Sequence, residues 1–290
     1  MLNNLKFPDF HCNLCDRRNS SIAVHFTGLC DNQCEHCIDR IISKDFTAIP
    51  NKEKIVQSIL SVSDRVDDVL FLGGEACLFL DELIYCIEEI RKKATMKVYV
   101  TTAMPITCYK NRDKFEYLLS IVDGLNISAQ SYKEDDADKI RCTKSQYDRQ
   151  AFYNSLPHKE KIRINLNLVK PWLSNRDEIL RCLHHYDNMG FGTILLRELQ
   201  NAPDVYVSFE KEMGINLPSA YSYGCQTPLI IDGESFKANV ILKRSCFVVN
   251  DTCEAQPVDL LKAFIKVFKK VPNNFFGVVK ENGEIGGWYS

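Results

Sequence analysis

The chain alternates between short apolar runs and longer segments in which apolar residues recur every three or four positions. In segment 78–93 the apolar residues stand at the i, i+3, i+4, i+7 spacing of an amphipathic helix: Leu80, Leu83, Ile84 and Ile87. Short runs rich in β-branched residues, typical of buried strands, occur at 21–27, 67–74, 96–102, 124–130, 161–169 and 193–199. Helical patterns separate them, at 51–64, 78–93, 112–122, 145–156 and 175–189.

This alternation predicts parallel βαβ units, arranged either as a doubly wound sheet or as a barrel. In both arrangements the functional residues lie at the carboxyl ends of the strands. The last helical pattern ends at Gly190, and the alternation stops near residue 200. Beyond that point the sequence predicts strands, a helix at 258–270 and a hairpin at Asn282-Gly283. We therefore predict an N-terminal extension at 1–20, a core at 21–200 and a C-terminal extension at 201–290.

The composition excludes several classes of protein. The chain has 290 residues, of which 45% are hydrophobic and 26% charged, as in ordinary globular proteins. A formal charge of −2 gives no electrostatic footprint for nucleic acid or an anionic membrane, so we expect neither as a partner. The first twenty residues lack the apolar core of a secretory signal. We expect a cytoplasmic protein, where thiols stay reduced and clustered cysteines indicate a metal site or catalysis rather than disulfides.

Three of the thirteen cysteines, Cys30, Cys34 and Cys37, fall within eight positions directly after the first predicted strand. One interpretation pairs Cys34-x2-Cys37 with an upstream Cys12-x2-Cys15, which fits the four-cysteine zinc template. The chain would then be a non-enzymatic zinc-ribbon interaction protein. This interpretation leaves Cys30 without a role and encloses the first strand in the zinc loop.

The other interpretation rests on a family resemblance. Cys30-x3-Cys34-x2-Cys37, with His36 in a slot that is usually aromatic, resembles the signature of the radical S-adenosylmethionine (radical SAM) superfamily. The sequence Gly73-Gly74-Glu75 follows the second strand, as the family's Gly-Gly-Glu motif does, although Ala76 stands where proline is usual. The resemblance implies an α/β fold, a partial (β/α)6 TIM-like barrel with a small α+β C-terminal extension. It is nearest to the molybdenum-cofactor cyclase-like and SPASM-twitch branch.

The resemblance also implies what the motif residues do. Three thiolates hold three irons of a 4Fe–4S cluster, and the fourth iron is left for the methionine end of S-adenosylmethionine (SAM). The glycines allow close approach of the backbone, and Glu75 binds the ammonium group of SAM. The implied cofactor-binding residues are His36, Gly73, Gly74, Glu75, Ser128, Asn165, Asn167 and Arg197.

Four of these residues also have a structural alternative. Ser128 would contact the ribose, although taken alone it is more simply a satisfied polar residue at a strand end. Arg197 would clamp the methionine carboxylate, a task that suits a planar bidentate donor, but Arg197-Glu198 alone also fits a structural ion pair. Gly73-Gly74 alone would also fit a plain turn.

The activity that the resemblance implies is reductive cleavage of SAM to a 5′-deoxyadenosyl radical, which abstracts hydrogen from a small-molecule or peptide substrate. A flavodoxin- or ferredoxin-type donor would supply the electron. We favour natural-product or peptide tailoring, and the alternative is an activating enzyme that places a radical on a partner protein. A second iron–sulfur cluster or a zinc ion is an additional expectation, held by some of Cys12, Cys15, Cys225, Cys246 and Cys253.

Overall fold

The structure is a computed structural model that describes residues 21–37, 49–199, 203–215, 226–243 and 276–286. The chain divides into two compact units, one of residues 19–164 and 273–290 and the other of residues 1–18 and 165–272. The predicted helix at 258–270 and the candidate auxiliary ligands Cys12, Cys15, Cys225, Cys246 and Cys253 lie outside the described residues. The domain bounds at residues 20 and 200 stay a prediction.

All six predicted strands are confirmed. They are β1 (Ser21–His25), β2 (Asp68–Leu72), β3 (Lys97–Thr102), β4 (Gly124–Ser128), β5 (Ile162–Leu168) and β6 (Thr193–Glu198). The C-terminal part adds β7 (Gln226–Pro228), β8 (Asn239–Lys243), β9 (Phe276–Val279) and β10 (Ile285–Gly286). The predicted hairpin is confirmed as well, because β9 and β10 pair antiparallel on either side of Asn282-Gly283.

The five predicted helical segments are confirmed, with adjusted ends. The described α-helices are α1 (Lys52–Leu60), α2 (Leu80–Lys93), α3 (Ile106–Lys110), α4 (Arg112–Ile121), α5 (Glu134–Arg141), α6 (Arg149–Asn154), α7 (Arg176–Asn188) and α8 (Phe209–Met213). The pattern at 145–156 gives a shorter helix because the carboxylate of Asp148 accepts a hydrogen bond from the amide of Ala151 and begins α6 there. As predicted, Gly190 follows α7 with a positive φ of 84°.

The sheet of the first unit runs β10-β9-β1-β2-β3-β4, and every pair in it is parallel except β9–β10. In the second unit β8 pairs parallel with β6 and antiparallel with β7. Along the chain, the six strands β1 to β6 alternate with helices. The fold is therefore α/β, of the partial-barrel type that the sequence predicts.

Strand register explains both the core and the position of the loops in the first unit. Residues in register on neighbouring parallel strands share a face, and one such face is fully buried: Ile22, Val24, Val69, Phe71, Val98 and Val100. Burial of each large aliphatic side chain contributes about 1.5–3 kcal/mol to folding. The same register sets His25 beside Leu72 and Thr102 beside Ile127. The loops that follow β1, β2, β3 and β4 therefore leave from one edge of the sheet.

Among the helices that the structure describes, none has the length and apolar character needed to cross a membrane.

Candidate iron–sulfur and cofactor site

The loop after β1 carries the three clustered cysteines and is held at several points. The amide of Phe26 donates a hydrogen bond to the carbonyl oxygen of Leu72 at 2.8 Å. Further along the loop, the amide of Gln33 donates a hydrogen bond to the carbonyl oxygen of Arg141 at 2.8 Å. The hydroxyl of Thr143 donates one to the carbonyl oxygen of Asp31 at 3.2 Å. The loop is thus anchored at β2 and at the end of α5.

The three thiols of this loop differ in their exposure. Cys30 is exposed, Cys34 and Cys37 are half-buried, and none of the three is in a disulfide. The amide of Cys37 donates to the carbonyl oxygen of Cys34 at 3.2 Å, which closes a tight turn between these two residues. The amide of Asn32 lies 3.4 Å from Sγ of Cys30 and donates to it. Amide donors of this kind tune the potential of thiolate-bound clusters.

Without a cation the thiols of Cys30 and Cys34 resist ionisation. Although Cys30 keeps an exposed surface, desolvation of its thiol, followed by the nearby Glu75 carboxylate, raises its pKa to about 12. Desolvation and the neighbouring Cys37 raise the pKa of Cys34 to about 11, although the positive charge of Arg141 opposes this rise. A bound metal centre reverses such shifts because the thiolate is its ligand. These thiols therefore suit a cationic group better than they suit free nucleophilic chemistry.

The Gly-Gly-Glu turn after β2 packs directly against the cysteine loop. The amide of Glu75 donates to the carbonyl oxygen of Leu29 at 2.8 Å. Gly74 has φ +49°, and a Cβ atom placed there would overlap the carbonyl oxygen of Leu29 and lie 2.5 Å from that of Thr27. A Cβ atom on Gly73 (φ +88°) would lie 2.5–2.8 Å from the ring of His25. Both positions therefore require glycine for their backbone conformation and for contacts with the protein itself.

The carboxylate of Glu75 is 1% exposed and points towards the end of β3. Its Oε1 accepts hydrogen bonds from the hydroxyl of Thr102 at 2.7 Å and the amide of Cys77 at 3.0 Å, and its Oε2 accepts one from the amide of Ala103 at 2.6 Å. Burial raises the pKa of Glu75 to about 7, against the opposing effect of these donors. No Lys, Arg or His of the described ranges pairs with it.

Arg141 is a candidate that the sequence did not reveal. It is 1% exposed at the end of α5, where one amino group, Nη2, donates to the carbonyl oxygens of Ala129 at 2.6 Å and Ser128 at 3.4 Å. Its Nε and Nη1 are buried, and neither has a hydrogen-bond partner within the described residues. Arg141 is the last residue of a highly charged helix and belongs to no motif spacing, so no sequence signal could have identified it. A buried guanidinium with two unused donors suits a carboxylate ligand.

The remaining predicted site residues are placed as follows. Ser128 ends β4 and is half-buried, and His36 lies in the cysteine loop. Asn165 and Asn167 lie in the second unit on one face of β5, as predicted, and Oδ1 of Asn165 is buried with no hydrogen-bond partner among the described residues. Arg197 is an exposed residue of β6 in the same unit. The roles of these residues stay predictions.

The residues present fit a cluster and its cofactor. Within the described ranges, no three Cys, His, Asp or Glu side chains converge on a single metal ion. A 4Fe–4S cluster does not need that convergence, because each thiolate binds its own iron. Three observations are consistent with a 4Fe–4S cluster and its cofactor. They are the three thiols of the loop, the N–H···S contact at Cys30 and the buried Glu75 carboxylate without a cationic partner among the described residues.

Comparisons with known proteins also point to a 4Fe–4S cluster. A family model described as a 4Fe-4S single cluster domain matches residues 19–149, which include the three cysteines and the Gly-Gly-Glu turn. A curated relative, an S-adenosylmethionine-dependent nucleotide dehydratase of Thermoplasmatales archaeon (strain ISO4-H5), is 25% identical over 178 residues. That match covers 55% of this chain and 56% of the relative.

The fold is shared with solved structures at low sequence identity. SuiB of Streptococcus suis bound to S-adenosylmethionine matches with a TM-score of 0.60 and 12% identity, over 92% of this chain and 59% of SuiB. SuiB bound to the precursor peptide SuiA matches with a TM-score of 0.58 and 12% identity, over 94% of this chain and 60% of SuiB. The chain therefore spans a little over half the length of these relatives. The comparisons thus show a 4Fe-4S single cluster domain over residues 19–149 and a fold shared with SuiB.

Proposed function

We propose that this chain is a radical SAM enzyme that binds a 4Fe–4S cluster through Cys30, Cys34 and Cys37. The observation that carries the proposal is the contact between the cysteine loop and the Gly-Gly-Glu turn. The amide of Glu75 donates to the carbonyl oxygen of Leu29, the residue that precedes Cys30. This contact sets the cluster ligands and the Glu75 carboxylate in a fixed relation, which a cofactor bound to both requires.

When bound, the reduced cluster supplies the electron that cleaves SAM to methionine and a 5′-deoxyadenosyl radical. The chain's own residues bind and orient the cofactor. Glu75 offers a carboxylate to the ammonium group of SAM: three donors orient it, and about one of its four acceptor positions remains for the ligand. The glycines keep the turn close enough to the loop for one ligand to reach both.

Two arginines are candidates for the methionine carboxylate. Arg197 is the residue that the family resemblance indicates. Arg141 has the supporting geometry, because its buried nitrogens Nε and Nη1 lack partners among the described residues and its Nη2 donates to the carbonyl oxygens of Ser128 and Ala129. We favour Arg141 for this role, with the Ser128 hydroxyl beside it for the ribose. The other expected cofactor contacts are His36, Asn165 and Asn167.

The central test is anaerobic reconstitution with iron and sulfide, reduction with dithionite, addition of SAM, and chromatography for 5′-deoxyadenosine. We expect the product from the natural chain and from Cys142→Ala, which removes an exposed thiol outside the proposed ligand set. We expect none from Cys30→Ala. A natural chain that assembles a cluster and yields no 5′-deoxyadenosine would overturn the proposed function.

For the substrate we propose a peptide or another natural product that the enzyme tailors, with a flavodoxin or ferredoxin as electron donor. Support comes from the fold shared with SuiB, which has been solved with a precursor peptide. The test incubates the reduced enzyme and SAM with short peptides encoded beside its gene and follows their mass. A loss of hydrogen or a new cross-link would support the proposal, and unchanged peptides would count against it.

A second candidate is a nucleotide substrate, favoured by the match to the S-adenosylmethionine-dependent nucleotide dehydratase. In the 5′-deoxyadenosine assay, each of the four ribonucleoside triphosphates would be added in turn. Stimulation by one of them, with loss of water from that nucleotide, would support this candidate. Equal rates with and without nucleotides would exclude these four substrates.

We also propose that Cys12 and Cys15 join some of Cys225, Cys246 and Cys253 in a second metal site. Their grouping outside the strand–helix alternation supports this. Iron, sulfide and zinc analysis of a Cys12→Ala/Cys15→Ala double variant tests it. A metal content equal to that of the natural chain would rule out these two ligands.

A further inference from the structure

The C-terminal hairpin approaches the cofactor turn from the other side of β1. Strand β9 pairs parallel with β1, with Ser21 opposite Phe276 and Val24 opposite Val279. The turn at 280–284 therefore extends beyond the same edge of the sheet as the cysteine loop. Asn51 fixes this turn, because its amide donates to the carbonyl oxygen of Glu281 at 2.7 Å. The Ser58 hydroxyl also donates to the carbonyl oxygen of Gly283.

His25, the last residue of β1, lies between this hairpin and the Gly-Gly-Glu turn. Its side chain is 3% exposed. Its ring occupies the space where a Cβ atom of Gly73 would stand, so its orientation determines how closely β1 and the turn can approach. The ring therefore packs directly against the turn whose next residues include Glu75, the donor to Leu29.

Glu281 supplies the charge that faces this ring. The Glu281 side chain is 9% exposed, and its Oε2 lies 3.9 Å from Nδ1 of His25, an ion-pair distance that is too long for a hydrogen bond. Oε2 is buried and accepts no hydrogen bond from the described residues. Because a buried carboxylate is costly unless a positive or N–H group compensates it, this contact favours an imidazole with its proton on Nδ1 and that edge turned towards Glu281.

We propose that Glu281 is a positioning residue for SAM binding, which acts through His25 on the Gly73–Glu75 turn. The inference rests on the proposed function, since the turn is the cofactor-binding element. In this role Glu281 does not need to touch the cofactor. The C-terminal hairpin, remote from the motifs in sequence, then becomes part of the support for the cofactor site.

The first experiment measures the Kd of SAM by equilibrium dialysis with reconstituted protein of verified iron content. We expect Glu281→Gln, which keeps the size and removes the charge, to raise the Kd about tenfold, as for other residues that orient a ligand-binding group. Glu284→Gln is the matched control, because Glu284 is an exposed glutamate of the same turn. It should leave the Kd within a factor of two. His25→Gln and the double variant should each resemble Glu281→Gln, because residues that act in series are not additive.

The second experiment needs neither cluster nor cofactor, so it separates this inference from the proposed function. Hydrogen exchange of the metal-free chain should be faster at residues 73–77 in Glu281→Gln than in Glu284→Gln, with β1 and β9 equally protected in both. The inference is overturned if exchange at 73–77 is the same in the two variants. It is also overturned if β1 and β9 lose protection too, because Glu281 would then only hold the hairpin in place. A natural chain that binds no SAM would refute the proposed function. The exchange result would still show whether Glu281 affects the turn at residues 73–77.

Discussion

The amide nitrogen of Glu75 lies 2.8 Å from the carbonyl oxygen of Leu29, so the Gly-Gly-Glu turn and the cysteine loop form one packed unit. Gly74 makes this contact possible because no side chain fits between the turn and the carbonyls of Thr27 and Leu29. The two motifs lie far apart in sequence and follow adjacent parallel strands, β1 and β2. Changes in either motif should therefore affect the function of the other.

Gly74→Ala should impair cluster assembly although it alters no ligand. The new methyl group would overlap backbone oxygen atoms of the loop, and its φ of +49° is unfavourable for alanine. We expect the free energy of unfolding to fall by at least about 2 kcal/mol and the iron content after reconstitution to fall below half. Gly190→Ala is the control, since Gly190 has a positive φ but nothing within 4 Å of its Cβ position. If both variants bind iron equally well, the packed contact is not needed for the cluster.

Alanine at Cys30, Cys34 or Cys37 should each remove about four irons per chain, because two thiolates do not retain the cluster. Iron and sulfide assays of the reconstituted variants measure this loss. Cys142→Ala should keep the full content, since this exposed thiol is outside the proposed set. Full iron in any one of the three ligand variants would remove that cysteine from the proposed site.

The stability of the metal-free chain should depend on pH through Glu75. Burial raises the pKa of this carboxyl from 4.5 to about 7, so the folded chain holds the proton more tightly than the unfolded chain. The stabilisation is complete below pH 4.5 and is lost as the pH rises through about 7. Relative to Glu75→Gln, the natural chain should therefore lose up to about 3 kcal/mol of unfolding free energy between pH 4.5 and 8. Urea unfolding at several pH values checks this, and a difference that stays constant with pH would contradict it.

Arg141→Lys should raise the Kd of SAM about a hundredfold, because an ammonium group cannot donate to the carbonyl oxygens of Ser128 and Ala129 and also hold N–H donors at the positions of Nε and Nη1. Equilibrium dialysis of the reconstituted variant measures the effect. Arg91→Lys is the control, as Arg91 also donates to backbone carbonyls, those of Met96 and Ile121. Should Arg197→Lys weaken binding while Arg141→Lys does not, the clamp is Arg197 as the family resemblance indicates.

Local pattern was sufficient to predict the architecture and the main motifs. The apolar periods of 2 and 3.6 are properties of neighbouring residues, so the strands β1 to β6 and the helices between them could be located without tertiary information. The spacing of Cys30, Cys34 and Cys37 is equally local, and its resemblance to the radical SAM signature predicted the cluster ligands. Gly73-Gly74-Glu75 was identified by its resemblance to the family motif after the second strand, and its glycines were expected to allow close approach to a ligand.

Tertiary structure alone showed that these glycines pack against the protein itself, Gly74 on the loop backbone and Gly73 on the ring of His25. It also revealed Arg141 behind the cysteine loop and Glu281 opposite His25. The physical reason is common to all of these contacts. Strand register and helix packing bring together residues that are distant along the chain, and neither side chain of such a pair carries a periodic signal of its partner. The sequence by itself therefore predicted the fold class and, through a family resemblance, the chemistry of the motifs, while only the tertiary structure showed which distant residues contact those motifs.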